Sequence, residues 1–373
     1  MRTRVLGTTG VRVSDHCLGA MMFGKFGNPD HDDCIRIIHR ALDAGINFID
    51  TADMYSAGES EEIVGKALAG RRDNVIVATK FFAPASDDPN TRGGSRRWIM
   101  REVENSLRKL NTEWIDLYQI HRPEDDTDID ETLGALTDLV RAGKVRYIGS
   151  STFPASQIVE AQWTAERRGR ERFVSEQPPY SMLIRGVEYD VLPTCRRYGI
   201  GVIPWSPLAG GWLSGKWRKG AENLGSRRSA MLPKRYDLSI PANQRKLDAA
   251  DALAQLADEA GISLIELALA FVIRHPAVTS AIIGPRKMEH LESQLGAVDV
   301  ELSEELLDRI DEIVPPGENV NPADTGYDNP ALRPEALRRP GASPRAEAQR
   351  PPGEPASRGA SALARRRDGT PAR

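Results

Sequence analysis

The stretch GINFIDTADMY, residues 45–55, joins a glycine, a short apolar run and a polar loop. The apolar run lacks the alternation of a half-exposed strand and is typical of a parallel strand buried on both faces. Helix-period spacing precedes it over residues 31–44, and Gly45 stands where a helix C-cap is expected. The stretch therefore predicts a helix followed by a buried strand over residues 47–52, with Asp50 at the end of that strand.

The same strand pattern recurs along the chain. Buried strands are predicted over residues 16–21, 47–52, 75–81, 115–121, 145–153, 173–180, 201–208 and 280–286. Helices are predicted over residues 31–44, 95–110, 129–141, 155–168, 188–198, 245–260 and 287–295, with a β-hairpin over residues 4–13 and extra helices over residues 263–275 and 303–314. Eight strands that alternate with helices predict an α/β fold, a (β/α)8 barrel. The alternative is a doubly wound sheet, but the sequence has no G-x-G-x-x-G motif of Rossmann-type nucleotide binding.

Composition and charge narrow the classes of function. The 373 residues are 40% hydrophobic and 28% charged, which is typical of a globular protein, and the net charge of -3 argues against nucleic-acid or anionic-membrane partners. No run approaches the ~20 apolar residues of a membrane helix. The cysteines Cys17, Cys34 and Cys195 have no metal-ligand spacing, which predicts no metal site and a reducing, cytoplasmic location. The sequence leaves open whether the chain forms a homo-oligomer.

The last 43 residues differ in composition from the rest. Residues 331–373 contain ten Arg, seven Pro and four acidic residues, and no Val, Ile, Phe, Tyr, Trp or Met. Such a segment cannot bury enough apolar surface to offset the entropy lost on ordering. We therefore predict a barrel domain over residues 1–330 and a disordered basic tail over residues 331–373.

Polar residues follow several of the predicted strands. Active sites of (β/α)8 barrels lie at the C-terminal ends of the strands, and Asp50, Lys80 and His121 occupy three consecutive ends, with Tyr55 in the next loop after Asp50. A tyrosine hydroxyl, with an ordinary pKa of about 10, is a poor acid at neutral pH, and a neighbouring ammonium group favours its phenolate. A carboxylate can hold that ammonium, and a histidine can bind a substrate oxygen. Each residue alone is more often a solvated or ion-paired group, but together they favour protonation of a carbonyl oxygen. A Schiff base on Lys80 is a second possibility.

These motifs resemble the aldo-keto reductase superfamily. The stretches GINFIDTADMYSAGESEEIVGKAL, VIVATKF and DLYQIHRP contain the resemblance, which covers roughly residues 3 to 314 and is greatest for the bacterial branch related to aryl-alcohol dehydrogenases and potassium-channel β-subunits. It implies a catalytic set of Tyr55, Asp50, Lys80 and His121, an NADP(H) cofactor lying across the barrel mouth, and reduction of a small-molecule aldehyde or ketone. A cofactor-sensing regulatory subunit with little turnover is the alternative that the channel subunits suggest.

The resemblance also implies cofactor-binding positions. Ser151, Thr152, Gln177 and Asp50 would lie at the nicotinamide, with Trp205 against its ring; Ser206, Pro207, Leu208 and Ala209 would hold the pyrophosphate, with Lys216 at a phosphate; Gly284, Arg286 and Gln294 would lie at the adenosine 2′-phosphate. Thr152 stands where the family often has Asn or Arg, and His290 and Ser293 replace its common Gln and Glu. The adjacent cations Arg286 and Lys287 favour NADP over NAD by charge. Met22, Phe23, Phe82 and Trp98 are candidates for the substrate pocket beside Tyr55, and the loops 82–97 and 212–236 are expected to set specificity.

Overall fold

A computed structural model describes residues 1–221, 227–327, 329–333 and 336–337 of the chain. An antiparallel hairpin, β1 (Thr3–Val5) and β2 (Arg12–Ser14), comes first. Eight further strands follow: β3 (His16–Gly19), β4 (Phe48–Asp50), β5 (Ile76–Phe81), β6 (Ile115–Ile120), β7 (Val145–Ser151), β8 (Phe173–Gln177), β9 (Gly201–Val202) and β10 (Ala281–Ile283). The helices are α1 (His31–Asp43), α2 (Glu59–Ala67), α3 (Arg96–Leu110), α4 (Ile129–Arg141), α5 (Ala155–Arg168), α6 (Val191–Tyr198), α7 (Arg227–Met231), α8 (Pro241–Glu259), α9 (Leu264–Arg274), α10 (Met288–Leu295) and α11 (Glu304–Ile313).

The strands β3 to β10 form one parallel sheet in the order β10-β3-β4-β5-β6-β7-β8-β9. Backbone hydrogen bonds join its two ends: Thr279 N donates to Val202 O over 2.8 Å and Ile282 N donates to Pro204 O over 3.0 Å. The sheet therefore closes on itself, and the predicted (β/α)8 barrel is confirmed.

Proline shortens two of the strands relative to the prediction. The strand predicted over residues 173–180 ends at Gln177, where Pro178 and Pro179 follow, and the strand predicted over residues 201–208 ends at Val202, shortly before Pro204. Proline has no backbone N–H to donate to a neighbouring strand. These segments leave the sheet early, and their residues become loops at the mouth of the barrel.

Local capping explains where several helices begin and end. Asp30 and Ser95 accept hydrogen bonds from the backbone N–H groups of Asp33 and Trp98, at the starts of α1 and α3. At its C-terminus α5 ends at Gly169, with a φ of 63° in the left-handed region, as the glycine spacing predicts. The spacing of apolar residues does not predict α2, because its sequence ESEEIVGKA has few of them.

The interior of the barrel has an apolar layer beneath a polar one. The apolar layer consists of Leu6, Val13, Cys17, Phe48, Ala78, Leu117, Ile203 and Ile282. Two residues further along β4, β5 and β6, the positions on the same face are Asp50, Lys80 and Gln119. A larger apolar core lies between the strands and the surrounding helices. The apolar layer closes the lower end of the barrel, so the polar side chains meet at the carboxyl ends of the strands.

Residues up to Tyr327 form one compact unit. The second unit, residues 328–373, is described only in short pieces, among them a 3₁₀ turn at Pro330–Leu332. Most of the tail predicted over residues 331–373 lies outside the described residues, so its disorder and the domain boundary at residue 330 stay predictions. No helix in the described part of the chain is both long enough and apolar enough to cross a membrane.

Candidate active site

The four predicted proton-transfer residues meet at the mouth of the barrel. Asp50 is the last residue of β4, Lys80 lies near the end of β5, and His121 directly follows β6. Lys80 Nζ donates to Asp50 Oδ1 over 2.5 Å and to Tyr55 Oη over 3.3 Å. The rings of Tyr55 and His121 meet edge to face, with centroids 5.8 Å apart. The structure therefore brings all four side chains into one contiguous set.

A polar network fixes the carboxylate of Asp50. Its Oδ2 accepts hydrogen bonds from Gln177 Nε2 over 2.8 Å and from Gln119 Nε2 over 3.2 Å. The amide of Gln177 also donates to Gln119 Oε1 over 3.3 Å. With Lys80 on Oδ1, both carboxylate oxygens have partners, which is the condition for burying a charge at low cost.

Lys80 is fully buried yet remains an ammonium group. Burial lowers its pKa, but the charge of Asp50 and the contacts with Asp50 and Tyr55 outweigh burial, and the pKa lies above its ordinary value. Its Nζ also donates to the carbonyl oxygen of Thr51 over 2.7 Å. A Schiff base needs a free amine. The environment of Lys80 therefore disfavours the alternative in which Lys80 forms a Schiff base.

His121 is neutral at physiological pH. Burial lowers its pKa well below the ordinary value, and the charges of Lys80 and Arg122 lower it further. A neutral imidazole has one N–H and one acceptor nitrogen. Beside Tyr55, that ring can donate a hydrogen bond to a substrate oxygen without adding a charge.

The loop that holds Tyr55 has an unusual backbone. Tyr55 begins a short 3₁₀ segment, Tyr55–Gly58, in which Ser56 and Ala57 have φ values of 51° and 58°. The hydroxyl of Ser56 donates to Phe23 O over 3.0 Å and accepts from Phe26 N over 3.0 Å. Left-handed φ values cost energy for residues other than glycine. The contacts of Ser56 hold the loop in this conformation and so fix the position of Tyr55.

The residues predicted at the nicotinamide lie on β7, β8 and the loop after β9. Ser151 Oγ donates to Gln177 O over 2.9 Å, and Thr152, with a φ of 61°, accepts from Trp205 Nε1 over 3.4 Å. Trp205 is half-buried, so part of its indole faces the mouth of the barrel. Arg122 also contacts this group, since its Nη1 donates to Thr152 Oγ1 over 3.3 Å.

The segment predicted at the pyrophosphate follows Trp205. Ser206 and Ala209 have φ values of 59° and 48°, which turn the backbone sharply within four residues. Ser206, Ala209 and Gly210 line a small cavity next to Trp205. Pro207 is buried and Leu208 half-buried, while Lys216 lies exposed further along the loop.

The predicted adenosine end is an open cleft of about 530 Å³ between the loop before α1 and the start of α10, lined by Gly27, Asn28, Pro29, Asp33, Arg286, Lys287, Met288 and Glu289. Burial lowers the pKa of His290, the charge of Glu289 raises it, and the charges of Arg286, Lys216 and Lys287 lower it. Three cations and one carboxylate therefore act on this ring, and Glu289 lies 3.4 Å from Lys287 Nζ. Gly284 is exposed directly after β10, whereas Gln294 is buried and its amide donates to His290 O over 2.7 Å.

Two of the candidate pocket residues belong to the core. Phe23 and Trp98 are only 0% and 1% exposed. Met22 and Phe82 are partly exposed. Phe82 has a φ of 144° and directly follows β5, where its backbone carbonyl accepts from Gly93 N over 2.8 Å. The loop over residues 82–97 therefore folds back onto the strand end next to Lys80.

Several residues at the mouth of the barrel were not predicted from the sequence to belong to the site. Gln119 stands two residues before His121, so the period of two along β6 was a usable indication of its inward orientation. Glu176 had no predicted role, and the structure buries it completely. Only its position after His121 indicated that Arg122 would lie at the site. Among the described residues no group of three or more His, Cys, Asp or Glu side chains is arranged to hold a metal ion.

The fold and the site together define an α/β barrel with a Tyr–Lys–Asp–His set at its mouth. The sequence model of the Aldo/keto reductase family matches residues 17–315. That match covers most of the chain, and the chain belongs to this family of oxidoreductases.

The alignments of this chain with its relatives cover nearly the whole length of each relative. The chain is 43% identical over 326 residues to the uncharacterized oxidoreductase YrpG of Bacillus subtilis (strain 168), covering 84% of this chain and 96% of that protein. It is 35% identical over 325 residues to a probable voltage-gated potassium channel subunit beta of Arabidopsis thaliana, covering 84% and 97%. It is 34% identical over 336 residues to versiconal hemiacetal acetate reductase of Aspergillus parasiticus, covering 82% and 95%.

Proposed function

We propose that this chain is a cytoplasmic, NADPH-dependent carbonyl reductase that converts a small aldehyde or ketone to the alcohol, with Tyr55 as the proton donor. The observation that supports this most directly is the contact series from Asp50 through Lys80 to Tyr55, with distances of 2.5 and 3.3 Å. Membership of the Aldo/keto reductase family agrees with this chemistry.

Proton donation by Tyr55 follows from the direction of its hydrogen bond. Lys80 Nζ is the donor in that contact, so the hydroxyl oxygen of Tyr55 accepts and its own proton is available to the substrate. The ammonium group then stabilises the phenolate that forms when the proton leaves. Neutral His121, edge-on to Tyr55, would donate to the same carbonyl oxygen and hold it in place.

The mouth of the barrel suits a nicotinamide cofactor. Trp205 offers a flat, half-exposed ring, and the amide-binding positions Ser151, Thr152 and Gln177 have hydroxyl or amide groups. The backbone from Ser206 to Ala209 turns sharply beside them and would hold the pyrophosphate. When bound, the cofactor supplies the hydride that the carbonyl carbon accepts.

The cleft at the far end favours the phosphorylated form of the cofactor. Three cations, Arg286, Lys216 and Lys287, act on His290 against the one carboxylate of Glu289. A 2′-phosphate has up to two negative charges and suits such a cluster, whereas a ribose hydroxyl does not. We expect faster turnover with NADPH than with NADH.

The Tyr55→Phe variant tests the proposed function. The assay follows the loss of NADPH absorbance with a panel of aromatic and short aliphatic aldehydes, with NADH in parallel. We expect the variant to lose roughly 10²- to 10⁴-fold in kcat and to bind NADPH with unchanged affinity. Tyr189→Phe is the matched control, because the side chain of Tyr189 is 86% exposed. Full activity in Tyr55→Phe, or loss of NADPH binding, would refute the role given to Tyr55.

One relative favours a second function. The similarity to a probable potassium channel β-subunit raises the possibility that this chain senses its cofactor and turns over little. Tight NADPH binding without consumption across the whole aldehyde panel would favour that function over the reductase.

A further inference from the structure

Arg122 places a positive charge at the mouth of the site. It follows His121 at the end of β6, and its Nη1 donates to His121 O over 2.6 Å and to Thr152 Oγ1 over 3.3 Å. The centre of the guanidinium group lies 5.9 Å from the ring centroid of Trp205. The cation is therefore adjacent to the side chains proposed to bind the nicotinamide.

No carboxylate in the described residues pairs with this charge. Every ion pair among them uses other cations. Tyr55 and Glu176 are the acidic groups that act on Arg122, and the carboxylate oxygens of Glu176 accept from Ser150 Oγ and from Phe153 N instead. Arg235 is a second cation that acts on Arg122, and it pairs with Asp324 at 3.8 Å. A partly desolvated guanidinium group without a counter-charge attracts an anion strongly.

The donors of Arg122 are only partly used by the protein. Both of its hydrogen bonds come from Nη1, which leaves Nε and Nη2, one edge of the planar fork, for another acceptor. That edge matches a carboxylate, which accepts two parallel hydrogen bonds. Gly326 lies close by, where an added Cβ would stand 3.9 Å from Nη2, an ordinary van der Waals contact, and 2.8 Å from the ring of Trp205.

We propose that Arg122 binds a carboxylate on the substrate, so that the site selects carbonyl compounds with an anionic group. This inference rests on the proposed reductase function and names the substrate class of that same site. The carbonyl oxygen would lie at Tyr55 and His121, and the carboxylate would lie at the free edge of the guanidinium group.

The test compares 4-carboxybenzaldehyde with benzaldehyde and with the neutral, electron-poor 4-nitrobenzaldehyde, using the full chain and NADPH. We expect kcat/KM to be about 10- to 100-fold higher for the carboxylated aldehyde than for either neutral one, mainly through KM, as charge-assisted hydrogen bonds predict. Arg122→Gln should abolish this preference when the aldehydes are compared at saturating NADPH, so that a change in cofactor affinity does not enter the comparison. Arg122→Lys should keep part of it, because the charge stays and the fork is lost.

A surface control and a binding assay distinguish failure of the carboxylate site from failure of the proposed reductase function. Arg167→Gln, on the exposed face of α5, should retain the preference. Equal losses for charged and neutral aldehydes in Arg122→Gln, or no preference in the unmodified protein, would overturn the proposal. If no aldehyde is reduced at all, the reductase function fails, and benzoate binding to the NADP-loaded protein then decides: binding that Arg122→Gln abolishes supports the carboxylate site, and no binding overturns it.

Discussion

Replacing Glu176 with Gln should change the pH dependence of stability in a defined direction. Glu176 lies on β8 with 0% exposure, below the loop that holds Thr152. Burial raises its pKa from 4.5 to about 7, although the hydrogen bonds from Ser150 and Phe153 oppose the rise. The carboxyl group therefore takes up a proton on folding between these two pH values.

The magnitude follows from the difference between the folded and unfolded pKa. Below pH 4.5 the group is protonated in both states and contributes nothing. Between pH 4.5 and about 7 the folded state binds more protons than the unfolded state, so the free energy of unfolding falls as pH rises, by roughly 1.4 kcal/mol per pH unit. Above pH 7 the loss is complete and amounts to about 3 kcal/mol.

The Gln side chain has a similar shape and cannot ionise. Its oxygen can accept from Phe153 N, and its amide can donate to Ser150 Oγ. The free energy of unfolding of Glu176→Gln, relative to that of the unmodified protein, should therefore rise by about 3 kcal/mol from pH 4.5 to pH 8. Urea unfolding at a series of pH values measures it, with Glu166→Gln on the exposed face of α5 as the control. A difference that is independent of pH, or that falls as pH rises, would refute the reasoning.

Two further predictions concern packing and a buried charge. Gly65→Ala should destabilise the protein by about 1–3 kcal/mol, because its Cβ would lie 2.6 Å from a backbone carbonyl oxygen of α3; Gly134→Ala, whose Cβ meets only the flexible end of an arginine side chain at 3.4 Å, should stay within about 1 kcal/mol of the original in urea unfolding. Asp324→Asn should cost about 3 kcal/mol, because Lys246 is buried and donates to Asp324 over 2.7 Å. Asp248→Asn removes an exposed ion pair and should cost less than about 1 kcal/mol by the same measurement.

The sequence was sufficient to predict the barrel and the meeting of Asp50, Tyr55, Lys80 and His121 at its mouth. Parallel strands buried on both faces leave apolar runs, and glycines end many of the helices between them, so the pattern predicts the eight strands but not α2. Since all carboxyl ends of the strands meet at one mouth, Asp50, Lys80 and His121 were predictable as neighbours. Tyr55 followed from its place in the loop after Asp50.

The other features of the site depend on loop backbone angles and strand register, which the spacing of apolar residues does not indicate. The orientation of Arg122 toward Thr152 and Trp205 depends on loop backbones with left-handed φ values at Thr152 and Ser206. Such values are unusual for residues other than glycine, so the sequence does not indicate them. The partners of Glu176 were likewise not predictable, because its hydrogen bonds from Ser150 Oγ and Phe153 N depend on the register between β7 and β8.

Along β4, β5 and β6, the apolar residues that stabilise the fold lie two positions before the polar residues of the candidate site. A fully buried Lys80 paired with Asp50 contributes little net stability, because desolvation of both groups opposes their attraction. The apolar layer below that pair, and the larger core outside the strands, supply the stability that the polar layer does not. The strand ends can therefore hold titratable groups with shifted pKa values, such as charged Lys80 and neutral His121, without loss of the fold. For the same reason a substitution of Arg122, one residue past His121, should leave the contacts of Lys80 with Asp50 and Tyr55 intact.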